Sequence, residues 1–154
     1  MVMANAEVGD DCYGEDKNVI ALEEYCADYF GKAAALFMSS GTMSNQVAMR
    51  SLIRAGDEII CDASYHINYF ESAQVADLGR GVLNTVSTND GVLTAAIVQE
   101  AIERKARFNN SYAAASLIWL ENSISLHGGH VFPLKTMQEL HAWANEVEIP
   151  IFIE

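Results

Sequence analysis

The sequence predicts an α/β domain in three layers, a mostly parallel sheet with helices on both faces. Three observations predict it. Short, almost wholly apolar runs recur along the chain at Glu58–Cys61, Val82–Val86, Ser116–Leu120 and Ile149–Ile153, as strands buried on both faces require. Stretches with apolar residues three and four apart, of about 10–15 residues, alternate with them, the signature of βαβ units. The composition is that of a globular chain, with 51% apolar residues and only 2 prolines among 154, far from the disordered class.

Each element has its own local reason. A polar start containing Gly9 and Gly14 leads into a helix from about Asn18 to Phe30, where Val19, Leu22, Tyr25, Cys26 and Tyr29 form an apolar stripe and Gly31-Lys32 closes the last turn. Ala33–Met38 is an apolar run that reads as a strand. Ser39-Ser40-Gly41-Thr42 then turns into a second periodic stretch through Val47, Ala48, Leu52 and Ile53. After the Ala55-Gly56-Asp57 turn and the strand from Glu58, Ser64–Asn68 reads as a polar, aromatic loop and Phe70–Asp77 as a helix. Asn89-Asp90-Gly91 is a turn, and Thr94 caps a helix to about Arg107 that ends in the loop Asn109-Asn110-Ser111. The strand Ser116–Leu120 ends in Glu121-Asn122. A Gly128-Gly129 loop leads to Pro133 at the first turn of a helix reaching Val147.

Charge and composition exclude several functions. Nine basic against 21 acidic residues give a net charge of −12, and only Arg104, Lys105 and Arg107 cluster, so no surface for a nucleic-acid polyanion is expected. No window reaches the ~18 apolar residues of a membrane span, and Met1–Asp10 lacks the basic start and apolar run of a signal peptide. Cys12, Cys26 and Cys61 are odd in number and widely spaced, which argues for reduced thiols, with Cys26 and Cys61 as buried structural ones. A soluble cytoplasmic protein without membrane contact is the expectation.

In parallel sheets of this kind ligands bind outside the carboxyl ends of the strands, so the loops there carry the candidate residues. Ser39–Thr42 joins an apolar run to a helix, where unpaired amides and the helix dipole suit a phosphate, although the same residues make an ordinary helix cap. His66 follows a strand, with Tyr65 and Tyr69 beside it and Glu71 five residues on. There an imidazole can stack on a flat cofactor or move protons, or be simply a hydrogen-bonded surface histidine. Glu121-Asn122 places a carboxylate and an amide at a strand's end, Asn122 being the candidate ligand-side hydrogen bonder. His127-Gly-Gly-His130 offers no Cys or carboxylate at ligand spacing, so no metal is expected; His141 reads as structural.

Taken together, these segments resemble the threonine aldolase group, which belongs with the β-eliminating lyases among pyridoxal-phosphate (PLP) enzymes of the aspartate-aminotransferase-like fold, fold type I. Gly9-Asp10-Asp11-Cys12-Tyr13-Gly14-Glu15-Asp16 resembles the group's G-D-D-x-Y-G-x-D segment. Residues 36–46, Leu-Phe-Met-Ser-Ser-Gly-Thr-Met-Ser-Asn-Gln, resemble its L-F-x-x-S-G-T-M-x-N-Q phosphate loop. Gly56–Asp62, then His66 and Glu71, follow the group's order. Glu121-Asn122-Ser123, Gly128-Gly129 and Val131-Phe132-Pro133-Leu134 resemble E-N-T-x-x-x-x-G-G-x-V-x-P-L.

The resemblance implies an incomplete large domain, with residues 1–17 as an N-terminal segment and 18–154 as its αβ core. It implies that Ser40, Gly41 and Thr42 hold the cofactor phosphate, that His66 stacks on the pyridine ring, that His66 or a water near it is the candidate base, and that Glu71 lines the pocket. It also implies that Asn122 approaches the cofactor or an amino acid substrate, and that Glu154 pairs with the pyridine nitrogen. There are departures. The group's R-S-D-T-like start is missing, Ile124 stands where a histidine often follows E-N-T, and Ala73-Gln74 replace a glycine pair. Phe152-Ile153-Glu154 replaces H-x-D-G-A-R, so the carboxylate is one methylene longer. The group's Schiff-base lysine has no counterpart among Lys17, Lys32, Lys105 and Lys135. The implied activity is a threonine-aldolase-type lyase, as one subunit of a split enzyme in a homo- or hetero-oligomer, with a second polypeptide bringing that lysine. The same residues suit an amino acid racemase or an eliminating lyase. From another class, a non-catalytic interaction module on the same fold is the alternative.

Overall fold

A computed structural model describes residues 1–105 and 112–154. The expected helix end at Arg107 and the loop Asn109-Asn110-Ser111 lie outside the described residues. The chain divides into two compact units, Met1–Gly41 and Thr42–Glu154.

In the first unit, helix α1 (Lys17–Phe30) starts where the Asp16 carboxylate accepts from the Asn18 and Val19 amides, and ends at Gly31 with φ 61°, the left-handed conformation that favours glycine. Hydrogen bonds from the Val19, Gly9 and Asn18 amides hold the Asp16 carboxyl below its usual range, the Val19 bond being the largest cause. The predicted apolar stripe is not a core face: no α1 residue is fully buried, and Leu22, Tyr25 and Tyr29 are exposed. Cys26 is half-buried beside Leu22, Leu36 and Phe37. The strand expected at Ala33–Met38 is absent, the segment being without regular structure. A strand needs a hydrogen-bonding neighbour, and here the Phe37 amide is taken instead by the Glu23 carboxylate at 2.7 Å.

The second unit is built on four strands, β1 (Glu58–Asp62), β2 (Val82–Val86), β3 (Ala115–Leu120) and β4 (Ile151–Ile153), all parallel, in the order β2-β1-β3-β4. β1 is central and buried throughout. Helix α2 (Gly41–Leu52) precedes it. Between β1 and β2 lie two short helices, α3 (His66–Tyr69) and α4 (Ser72–Gln74), and a wide turn over Val75–Gly79. The predicted Phe70–Asp77 helix is thus broken, and the Ser64–Asn68 loop contains a helical turn. Helix α5 (Ala95–Glu103), capped by Thr94 Oγ1 accepting from the Ile97 amide, joins β2 to β3. Helix α6 (Leu134–Glu146), with Pro133 at its cap position, joins β3 to β4.

Parallel strands are joined by right-handed crossovers. The chain moves from β1 outward to β2, then returns past β1 to β3 and on to β4, so the first connection lies on one face and the next two on the other. α5 and α6 pack together accordingly. On the opposite face, a Cβ at Gly79 would come within 3.0 Å of Met49 Sδ, which puts α2 against the wide turn. Ile59, Ile60, Leu117, Ile118, Trp119 and Leu120 are fully buried between these layers. The loops after β1 and β3 leave for opposite faces, and this divergence opens a crevice at the carboxyl ends of those two strands.

The buried face of α2 differs from the one that apolar spacing marks. Val47 and Leu52 are exposed, whereas Asn45, Gln46 and Met49 are buried. Two amides can be buried there because buried polar groups are tolerated once hydrogen-bonded, and both find carboxylates in the crevice.

Candidate active site at the carboxyl ends of the strands

Three side chains converge at the crevice. His66 opens α3 just beyond β1, Glu71 lies at the start of α4, and Glu154 follows β4. Their ligating atoms lie within 4.8 Å of one another. His66 Nδ1 is 3.1 Å from Glu154 Oε1 and 3.3 Å from Glu71 Oε1. Nδ1 itself is buried and aligned for a hydrogen bond with neither, so the contact is one of charge and proximity. Glu71 is 2% exposed, while the His66 ring is 37% open.

Neutral donors hold the two carboxylates. Glu71 Oε1 accepts from the Thr42 hydroxyl at 2.8 Å and from Asn45 Nδ2 at 3.3 Å, and Oε2 accepts from Gln46 Nε2 at 3.0 Å. Asn45 Nδ2 also reaches Glu154 Oε1 at 2.9 Å, bridging the pair. Glu154 Oε2 accepts from the Trp119 indole at 3.0 Å. Two carboxylates this close repel one another unless a cation lies between or beside them. The only basic lysines of this unit are engaged elsewhere, Lys105 with Glu58 at the amino end of β1 and Lys135 with Glu139 along α6. Among the described residues, the imidazole is the basic group that the two carboxylates share.

The remaining candidates fall as follows. Ser40 and Gly41 end the first unit. A Cβ added at Gly41 would meet nothing within 4 Å, which leaves room for a ligand to approach the backbone. Asn122 is exposed beyond β3; its Oδ1 accepts from the Phe132 amide at 3.1 Å, and its backbone N–H pairs with Glu154 O at 3.0 Å. Glu121 is 4% exposed and accepts from the His66 amide and from Ser125, each at 2.7 Å, so it faces the loops rather than the opening. His127 Nε2 lies 3.1 Å from Ser64 Oγ, and His130 pairs its backbone with Ile124. Ile124, standing where the threonine aldolase group often has a histidine, is fully buried.

Asn45, Gln46 and Trp119 went unassigned in the sequence. Asn45 and Gln46 close the Thr-Met-Ser-Asn-Gln stretch, and their break in the apolar spacing of α2 was the available signal. Trp119 looks like any core aromatic until β4 brings Glu154 beside it. Two hollows of this unit, about 630 and 530 Å³, lie elsewhere, by Ile53 and Pro150 at the amino ends of the strands and by Thr88 and Arg104. Among the described residues, no helix is long and apolar enough to cross a membrane.

Comparison with known proteins agrees with this fold. The probable low-specificity L-threonine aldolase of Schizosaccharomyces pombe is 35% identical over 153 residues, which is 97% of this chain and 39% of that protein. The low specificity L-threonine aldolase of Escherichia coli K12 is 31% identical over 153 residues, 99% of this chain and 44% of that one. The threonine aldolase structure from Leishmania major superposes with a TM-score of 0.84 at 19% identity, over 99% of this chain and 43% of that one. The chain thus spans less than half the length of each. The family model for β-eliminating lyases matches residues 1–154, and the chain belongs to that family.

Proposed function

We propose that the chain forms the cofactor-facing part of a PLP-dependent lyase of the threonine aldolase type, cleaving or forming the Cα–Cβ bond of a β-hydroxy amino acid. The observation that supports it above all is the meeting of His66 and Glu154 at the carboxyl ends of β1 and β4, in a chain of this family. The residues fit the cofactor. The partly open imidazole is a flat surface for a pyridine ring, and its buried Nδ1 has no aligned hydrogen-bond partner, which leaves the imidazole free to settle against such a ring. Glu154, fixed by Trp119 and Asn45, suits a protonated ring nitrogen. Gly41 and Thr42, at the start of α2, suit a phosphate.

When bound, PLP supplies an electron-withdrawing ring that stabilises the negative charge left at Cα. The rest belongs to the chain. Glu71 and Glu154 favour the imidazole tautomer with its proton on Nδ1, which leaves the Nε2 lone pair to take the substrate's hydroxyl proton. Glu154 would balance the charge of the ring nitrogen, and Asn122 would offer its amide to the ligand. The amine that carries the cofactor is assigned to a second polypeptide, because none of Lys17, Lys32, Lys105 and Lys135 stands in the family's lysine context. The free thiols of Cys12, Cys26 and Cys61 suit the reducing cytoplasm as the place of action.

The test is reconstitution. The chain is combined with candidate partner polypeptides and PLP, and glycine and acetaldehyde are measured from threonine. Release is expected only with both polypeptides and is lost when the partner's lysine is replaced. If every complex that retains PLP fails to cleave β-hydroxy amino acids, the lyase reading is wrong.

A further inference from the structure

We propose that Glu121 is a positioning residue that fixes the His66 ring by capping, from another strand, the turn on which His66 stands. Two short turns border the crevice, His66–Tyr69 after β1 and Ser125–His127 after β3. Their cap positions hold Tyr65 and Ile124, and neither side chain accepts a hydrogen bond from the turn it precedes. The first-turn amides of such turns need an acceptor from elsewhere. Glu121 supplies it to both. One carboxylate oxygen accepts from the His66 amide at 2.7 Å, and the other accepts from the Ser125 amide and hydroxyl, each at 2.7 Å. The carboxylate is 4% exposed, so these charge-assisted bonds are shielded from water and strong. Glu121 follows β3 and His66 follows β1, so this single group ties together the two loops that diverge at the crevice.

The consequence concerns orientation. The His66 ring is partly open and touches Phe70, Glu71 and Glu154, but Nδ1 has no aligned hydrogen-bond partner, so these contacts are loosely directional. The directional bond that anchors the residue is its backbone amide on Glu121 at 2.7 Å. A glutamine keeps one acceptor but turns an NH2 group toward amides that are themselves donors, so either the His66 turn or the Ser125 turn loses its cap.

The proposal rests on the reading that His66 faces the cofactor, and a double-mutant cycle on the full chain tests it. PLP is titrated while tryptophan fluorescence is followed, for wild type, Glu121→Gln, His66→Ala and the double variant. Glu121→Gln is expected to weaken binding about tenfold when His66 is present, and to add little once His66 is alanine. A merely structural role gives equal losses in both backgrounds and overturns the proposal. Ser125→Ala, a milder change that removes one donor from Glu121, is expected to show a smaller loss with the same dependence on His66, and serves if Glu121→Gln fails to fold. If wild type alone takes up no PLP, the titration is repeated with the partner polypeptide that brings the lysine, and it is failure of that complex to take up PLP that overturns the cofactor reading. The His66 resonances then decide alone: its amide, far downfield in wild type, and its ring protons shift in the variants if Glu121 positions it, and unchanged signals overturn the proposal.

Discussion

The indole nitrogen of Trp119 donates to Glu154 Oε2 at 3.0 Å, so a fully buried aromatic on one strand holds the carboxylate that follows the next. The register of β3 and β4 makes this possible, with Trp119 opposite Phe152 and Leu120 opposite Ile153. The Trp119 and Phe152 rings pack with centroids 4.2 Å apart. Trp119→Phe keeps most of that packing and removes the donor. Stability is expected to fall by about 1–2 kcal/mol, read by urea unfolding with Trp143 as the probe. Cofactor affinity is expected to fall as well, because the carboxylate is no longer held in one place. Equal affinity for wild type and variant means that Asn45 alone suffices to orient Glu154.

Not every buried carboxylate at these strand ends belongs to the chemistry. Asp62, 1% exposed, accepts from the amide and hydroxyl of Ser64 and from the amide and hydroxyl of Thr88, at 2.6–2.9 Å. All four donors come from loops, so its task is to join the loop after β1 to the loop after β2. Asp62→Ala strands these donors and is expected to cost about 3 kcal/mol or more, seen as a drop of several degrees in Tm. Residual folded protein should still retain His66 beside Glu154.

Cys61 lies in the middle of the core, and burial pushes its thiol from an ordinary 9.0 up to about 12, with the neighbouring Asp62 charge adding to it. The unfolded chain then releases this proton near pH 9 while the folded chain keeps it. The folded state holds more protons across that window, so this contribution to stability is full below about pH 9 and declines as pH rises toward about 12. Denaturant midpoints measured from pH 8 to 11 should fall, and less steeply in Cys61→Ala. In the native state at pH 8 a thiol reagent should label the exposed Cys12 quickly and leave Cys61 unlabelled until unfolding.

The sheet was legible because a strand buried on both faces has little choice of residues: the runs at Glu58, Val82 and Ser116 became β1, β2 and β3 within a residue or two. Caps were legible for the same local reason, as at Thr94 and Gly31. Ala33–Met38 misled, because an apolar run says that a segment is buried or extended and not that a neighbour will pair with it. Apolar spacing on α2 misled because its buried face is made of Asn45 and Gln46, whose burial depends on carboxylates 25 and more residues away. His66, Glu71 and Glu154 could be named from the chain, but that both carboxylates approach one imidazole nitrogen is a product of topology alone.

Thr42 gives the sharpest choice between two tasks. Its hydroxyl proton goes to Glu71 Oε1 at 2.8 Å, and Glu71 is buried, so the bond has structural value of its own. A phosphate offers mainly acceptors at neutral pH. It can therefore use this hydroxyl only if the proton turns away from Glu71; otherwise it must rely on backbone amides at the start of α2. Thr42→Val removes the donor at nearly constant volume and is expected to lower stability by about 1 kcal/mol. It should also weaken PLP retention, further so when combined with His66→Ala, since the two residues serve different ends of the cofactor. Thr42→Ser keeps the hydroxyl and should restore both properties. Dialysis against cofactor-free buffer, followed by measuring bound PLP, separates the tasks: a Thr42→Val chain that loses stability but keeps its cofactor shows that the hydroxyl serves Glu71 alone and that the phosphate is held by the backbone.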